Sequence, residues 1–248
     1  MMAKPLLYGL VGVLIFVSVI VLRAPAAPVW RLLAPQVKSA LPGLLVNRVT
    51  GTVWEGQAQL QYANMLPGNL TWQLAPSGLL SGRLPFNASL MGDAHQLQMS
   101  GSVSLSQLSI ETLNGTLDGR YLSQYGQRYQ IQLAGELNIL NLNLITSEHW
   151  PVAAAGEFTW SGGAVSIPGP EGRQYLQLPA LHGQLTKLDQ DLQLQLSDTG
   201  QKLLTISLQP TGWAKVAIKT RMFKLANITL PGSRSPDDTA LTLEEKLF

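Results

Sequence analysis

The sequence predicts an all-β protein: an antiparallel sheet that can curve into a groove, preceded by one N-terminal transmembrane helix. Three observations lead there. From Val46 to about Leu230, apolar and polar residues alternate with a period of two. Gly- and Pro-rich breaks divide that stretch into runs of strand length. Ahead of it, Leu6 to Leu22 form an uncharged run of 17 residues bracketed by Lys4 and Arg23.

At about 1.5 Å per residue, the apolar run just crosses a hydrocarbon layer of about 30 Å. A cleaved signal peptide is the competing reading, with Ala24-Pro25-Ala26 as its cleavage pattern. Arg23 directly after the apolar core and the prolines at 25 and 28 argue for an uncleaved anchor. Orientation stays open on charge alone. Lys4 lies on one side of the run, and Arg23, Arg31 and Lys38 on the other.

Residues 1–27 are therefore read as an N-terminal stub and anchor, and 28–45 as an amphipathic linker. In the linker Trp30, Leu33, Val37 and Leu41 recur at helical spacing, Pro35 is expected to interrupt the helix, and Pro42-Gly43 to end it. Residues 46–230 form the β-domain. Ala58, Leu60 and Tyr62 alternate with Gln57, Gln59 and Gln61; Leu70, Trp72 and Leu74 with Thr71 and Gln73; Leu192, Leu194 and Leu196 with Gln193 and Gln195. Such alternation puts apolar side chains on one sheet face and amides on the other. Neither Leu nor Gln is a strong strand former, so the period carries the assignment rather than propensity. Turns are expected at Pro67-Gly68, Ser77-Gly78, Gly92-Asp93, Asn114-Gly115, Gly162-Gly163, Pro168-Gly169-Pro170 and Pro210-Thr211-Gly212. Residues 231–248 are expected to be a flexible tail, with Asp237 or Asp238 able to cap a short helix over 239–247. Two W-x-G-x-A segments, Trp54–Ala58 and Trp160–Ala164, suggest either a duplicated unit or ordinary strand punctuation.

Charge narrows the function. Among 248 residues there are 17 Lys and Arg and 15 Asp and Glu, or 13% charged, about half the usual 25%. Setting aside Lys4 and Arg23 leaves the exported part formally neutral. A neutral surface does not suit nucleic acid, whose binding needs a Lys/Arg footprint. Without cysteine there is no disulfide, thiolate zinc site, iron–sulfur cluster or thiol nucleophile. No G-x-S-x-G elbow, phosphate loop or H-E-x-x-H pair occurs. His95, His149 and His182 are far apart in sequence, and Asp189-Gln190-Asp191 reads as a solvated turn. No catalytic residue, metal ligand or cofactor is expected. Trp54, Trp72 and Trp160 are the candidate partner-binding residues, because Trp is enriched at interfaces. Core packing is the simpler reading of the same positions.

The segment Val49-Thr50-Gly51-Thr52-Val53-Trp54-Glu55-Gly56-Gln57-Ala58, followed by Leu70-Thr71-Trp72-Gln73-Leu74-Ala75-Pro76 and Gly78–Leu84, resembles the type II secretion system protein N family of Gram-negative bacteria. The G-T-V-W-x-G-x-A and L-x-W-x-L-x-P stretches are the specific part; the C-terminal half agrees only in general character. The resemblance implies an accessory inner-membrane component of the machine that moves folded periplasmic proteins across the outer membrane. It implies a cytoplasmic N-terminus, residues from about 24 in the periplasm, and other secretion components as partners. It brings no catalytic residues. The alternative is a lipid- or amphiphile-handling groove of AsmA-like type, because a closed core and a lipid groove share one alternating pattern.

Overall fold

The computed structural model describes residues 16, 19–63, 66–127, 130–147, 150–169, 172–228, 232 and 235–247. Most of the apolar run Leu6–Leu22 lies outside the described residues. Among those described, no helix is long and apolar enough to cross a membrane.

Helix α1 (Ala26–Ala40) comes first. It runs unbroken through Pro35, so the expected interruption does not occur. A proline inside a helix removes one N–H and crowds the carbonyl four residues back. Here the flanking residues are largely exposed, so water can satisfy the freed carbonyl. Pro28 sits in the first turn, where an N–H has no helical acceptor to lose.

Strands β1 (Leu44–Gly51), β2 (Glu55–Tyr62), β3 (Gly68–Leu74), β4 (Leu84–Gly92), β5 (His95–Val103) and β6 (Gln107–Asp118) follow as a meander. A 3-10 turn, Pro76–Ser81, joins β3 to β4. Helix α2 (Gly119–Gly126) and the two-residue β7 (Gln132–Leu133) precede β8 (Glu136–Ser147) and β9 (Trp150–Trp160). Next come β10 (Gly163–Gly169), β11 (Gly172–Leu178), β12 (Leu181–Leu188), β13 (Asp191–Asp198), β14 (Gln201–Leu208) and β15 (Trp213–Lys219). Helix α3 (Thr220–Leu225) and β16 (Thr239–Lys246) complete the chain. Thirteen strands form one sheet in the order β1-β2-β3-β4-β5-β6-β8-β9-β12-β13-β14-β15-β16, and β11-β10-β7 form a second, small sheet. Every pairing is antiparallel, as the alternation predicted.

The tail departs from expectation. Residues 239–246 are a strand, with Leu241 opposite Ile218 and Leu243 opposite Val216. Those leucines extend an apolar face already present on β15, which a capped helix could not do. Asp238 does not cap a helix: its carboxylate accepts from Ser235 N at 2.9 Å, and its carbonyl from Thr220 N at 2.9 Å. The two W-x-G-x-A segments also part company. Trp54 precedes β2 of the large sheet, whereas Trp160 ends β9 ahead of β10 in the small one.

Because all neighbours are antiparallel, the connections fall alternately at two edges. One edge carries the shorter connections at 52–54, 75–83, 104–106, 189–190 and 209–212, together with the ends of β8 and β9. The other carries 63–67, 93–94 and 199–200, and also the long segments 119–135, 161–180 and 220–238 that hold α2, the small sheet and α3. The described core gathers at this long-connection edge. Val165, Leu178 and Ala226 are buried there, packed by Leu133, Trp160, Leu176 and Met222.

The large sheet is a single layer. Its strands make substantial contact only with their neighbours in the order, so it is neither a sandwich nor a closed barrel among the described residues. Among all the described residues ten hydrophobic side chains are buried, five of them alanine, and only Ala58, Ile139, Ala154, Leu181 and Leu203 lie on strands of the large sheet. The chain exposes 16086 Å², against about 10,800 Å² for a compact monomer of this mass. Apolar side chains instead cover one another sideways. A Cβ on Gly56 would lie 2.4 Å from Trp72 Cζ2, and one on Gly183 would lie 2.9 Å from Leu196 Cδ2. Large residues thus lie down over glycines on adjacent strands. At the two sheet ends, α1 packs along β1, and β16 carries Glu244, Glu245 and Lys246; both devices discourage uncontrolled edge pairing.

Candidate functional site

A depression of about 810 Å³ lies over the β1–β6 half of the sheet. Cross-strand register explains its lining. One row runs Gln57, Thr71, Ser89, Gln98, Asn114 across β2 to β6. The next runs Glu55, Gln73, Asn87, Ser100, Thr112. These are the polar positions of the alternating pattern, so a Gln/Ser/Thr/Asn face becomes a continuous array of neutral donors and acceptors. Glu55 is the one ionisable residue lining it.

Some of the array is internally bonded. Ser100 Oγ and Thr112 Oγ1 are 2.7 Å apart. Asn114 Oδ1 accepts from Asn141 N at 2.7 Å, where β8 bulges and Asn141 takes φ 48°. Ser89 Oγ is buried with no hydrogen-bond partner among the described residues. Gln57, Thr71, Gln73, Asn87 and Gln98 are exposed and face solvent with their amides and hydroxyls. Such a surface can make many directional, uncharged hydrogen bonds to a partner.

The three candidate tryptophans separate by position. Trp54 Nε1 donates to Val21 O at 2.8 Å, Val53 N donates to Ala24 O at 2.9 Å, and Pro25 bridges Thr52. The β1–β2 turn is thereby tied to the chain just after the apolar run. Trp72 Nε1 donates to Val53 O at 3.0 Å, steadying the same turn from β3. Trp54 and Trp72 therefore meet at one corner, at the border of the polar depression. Trp160 lies elsewhere. Its Nε1 donates to Ala134 O at 2.9 Å, and its ring packs on the core between the two sheets.

The histidines do not converge. His149 lies outside the described residues. His95 on β5 and His182 on β12 are four strands apart, about 19 Å, and on opposite faces of the sheet. No described group of three His, Asp or Glu could hold a metal ion. Asp189 occupies the β12–β13 turn at φ 52°, where its carbonyl accepts from Lys187 Nζ.

Sequence reasoning passed over the surroundings of His95. The residue is 4% exposed, and its ring centroid lies 4.6 Å from that of Tyr121 on α2. It covers Gly68 and Gly92, where a Cβ would come within 2.4 Å of the imidazole. Burial holds the imidazole below its ordinary pKa, against the opposing pull of the Asp93 carboxylate. Nδ1 has no partner. The signal available in the sequence was Gly92-Asp93-Ala94-His95, a tight hairpin turn followed by a ring-sized side chain on the apolar face. Beside it, Asp118 caps α2 by accepting from Arg120 N at 2.7 Å. Hydrogen bonds from Arg120 hold that carboxyl below the ordinary carboxylate range.

The fold and this depression define a class: a single-layer antiparallel meander presenting a neutral hydrogen-bonding surface. Residues 42–234 match the family described as type II secretion system (T2SS), protein N. The match covers more than half of the chain, which belongs to the type II secretion system protein N family and is a component of that system. No curated protein and no solved structure matches the chain.

Proposed function

We propose that the protein is a non-enzymatic accessory component of the secretion system, acting through protein–protein contact in the export of folded periplasmic proteins across the outer membrane. In this reading Leu6–Leu22 is an uncleaved inner-membrane anchor, the N-terminus is cytoplasmic, and the β-sheet is periplasmic. Residues 1–27, 28–45, 46–230 and 231–248 are the proposed segments, with the last closing the sheet as β16. The observation that carries the reading is the 810 Å³ neutral polar depression on β1–β6. It adjoins the Trp54–Trp72 corner, and both are proposed as the surface for another secretion component. Trp160 is set aside, because its ring packs in the core.

The test is secretion by cells carrying Thr71→Arg or Gln98→Arg. Both residues are exposed, so the fold should be retained, while a bulky cation is forced into a contact whose lining is uncharged except for Glu55. Export is expected to fall while the protein accumulates normally; undiminished export by both variants contradicts the reading. For the corner, Trp54→Ala and Trp72→Ala should leave the fold intact and weaken partner capture. Unfolding would assign both residues to structure alone.

A second reading is favoured by the uncovered apolar face. A row such as Ala58, Leu70, Leu90, Leu97 and Ile139, whose three leucines are half-buried between the buried Ala58 and Ile139, suits an amphiphile. Mass spectrometry of purified protein checks it. Stoichiometric co-purified lipid supports the reading, and lipid-free monodisperse protein counts against it.

A further inference from the structure

We propose that the β1–β6 half of the short-turn edge rests on a lipid bilayer, with Leu79, Leu80 and Leu105 entering its interfacial layer. The proposal rests on the anchor part of the reading above, and extends it from the N-terminal run to the sheet itself.

Three observations converge on this edge. The first is exposure. Leu80 is 97% exposed and Leu105 is 109%, and Leu79 and Val103 beside them are 54% and 43% exposed. These side chains sit at the tips of the β3–β4 and β5–β6 connections. A leucine at a turn tip packs against nothing and serves no register, so folding does not account for it. Single exposed leucines are ordinary; several on successive tips of one edge make a patch.

The second is continuity with the apolar run. The β1–β2 turn belongs to the same edge, because β1, β3 and β5 all run toward it. That turn is bound to Val21, Ala24 and Pro25, the residues that end the run and follow it. Wherever residue 22 leaves the bilayer, this edge is held next to it. The β5–β6 turn is four strand spacings from the clamp, about 19 Å along the edge.

The third is charge. Arg83 is the one ionisable residue within 52–54, 75–83 and 104–106, and Glu55 begins β2 beside the first of these turns. An arginine beside inserted leucines can keep its guanidinium among the headgroups. The long-connection edge carries Asp93, Asp118, Arg120, Arg221, Asp237 and Asp238. The far half of the short-turn edge also becomes charged, with Asp189, Asp191, Lys215 and Glu244 at the ends of β12 to β16. In the half tied to Val21–Pro25 the leucines occupy the turn tips with Arg83 as the one ionisable residue among them, whereas Leu188 and Leu247, exposed on the far half, stand beside Asp189, Asp191 and Glu244. A bilayer interface, not a charged protein surface, fits that combination.

The chain has no cysteine, so single labels can be placed cleanly. Full-length Leu80→Cys, Leu105→Cys and Thr199→Cys proteins would each carry an environment-sensitive fluorophore. They would be reconstituted into vesicles of phosphatidylethanolamine and phosphatidylglycerol, with or without doxyl-labelled lipid. The expected result is that labels at 80 and 105 are quenched severalfold more by doxyl lipid than the label at 199, and are shielded from aqueous iodide. Equal iodide access at all three positions overturns the proposal. If the protein floats with the vesicles yet 80 and 105 behave like 199, bilayer docking fails while the anchor stands. If it does not float, the anchor and the docking fail together. Secretion and partner capture are not read here, so either result leaves the protein-contact reading to its own test.

Discussion

The two edges of the large sheet are built from the same meander and differ in almost everything else. At the long-connection edge, α2, the small sheet and α3 fold back on the strands and bury Val165, Leu178 and Ala226. Leu203, which lies fully buried where β14 bulges against β13, belongs with α3 on that side. At the short-turn edge the tips are bare, and Leu80 and Leu105 point into solvent. A single-layer sheet cannot bury its apolar face against itself. Stability must then come from the places where the chain leaves the sheet and returns. One edge holds the fold, and the other is left for contact.

Truncations should break this comparison if it is wrong. Trp160→Ala removes a ring from the core and the bond to Ala134 O, and should cost about 3–5 kcal/mol, read by denaturant unfolding. Leu203→Ala should cost about 2–5 kcal/mol by the same measurement. Gly119→Ala would place a Cβ 2.3 Å from Leu133 O. Because backbone cannot yield as a side-chain tip does, about 1–3 kcal/mol is expected. Leu80→Ala and Leu105→Ala should fall within about 0.5 kcal/mol of the parent protein. Comparable losses at both edges would remove the distinction.

His95 sharpens it with pH. Its folded pKa lies below the ordinary 6.5 because of burial. Between the two values the unfolded chain binds more protons, so stability should rise with pH. The contribution is complete above about 6.5 and is lost as pH falls through that value toward the folded pKa. Melting temperatures of the parent protein should therefore decline on acidification, and His95→Phe should flatten that decline. A variant that follows the parent's slope would move the effect to other groups.

The two edges were unequally legible in sequence. Strand identity was plain, because runs such as Gln57–Tyr62 and Leu192–Leu196 keep strict alternation and nothing in their tertiary context opposes it. The polar rows were legible as a wet face. Their convergence into one depression was not, since it depends on register between strands that no single run encodes. The tail was misread because Thr239–Lys246 shows only Leu241 and Leu243 as an apolar pair, followed by Glu-Glu-Lys, beneath a plausible Asp cap. It becomes a strand because β15 supplies Val216 and Ile218 as partners. Pro35 likewise looked like a break, and is tolerated on an exposed helix. The small sheet was hidden within the same alternation: Val165 and Leu178 read like any other strand residues until the glycine turn at 162–163 carries them out of the large sheet. Trp54, Trp72 and Trp160 read alike in sequence; that Trp54 bonds to Val21 and Trp72 to Val53, at one corner away from Trp160, needs the fold.

The central claim is that the polar β1–β6 depression, and not the packed edge, meets the rest of the secretion machine. Its most direct test is site-specific photo-crosslinking in secreting cells, comparing a photoreactive amino acid at Gln98 with one at Tyr175, which is 74% exposed on β11. The account predicts a discrete crosslink to another secretion component from position 98 and none from position 175. A crosslink of equal strength from both, or from 175 alone, would contradict it.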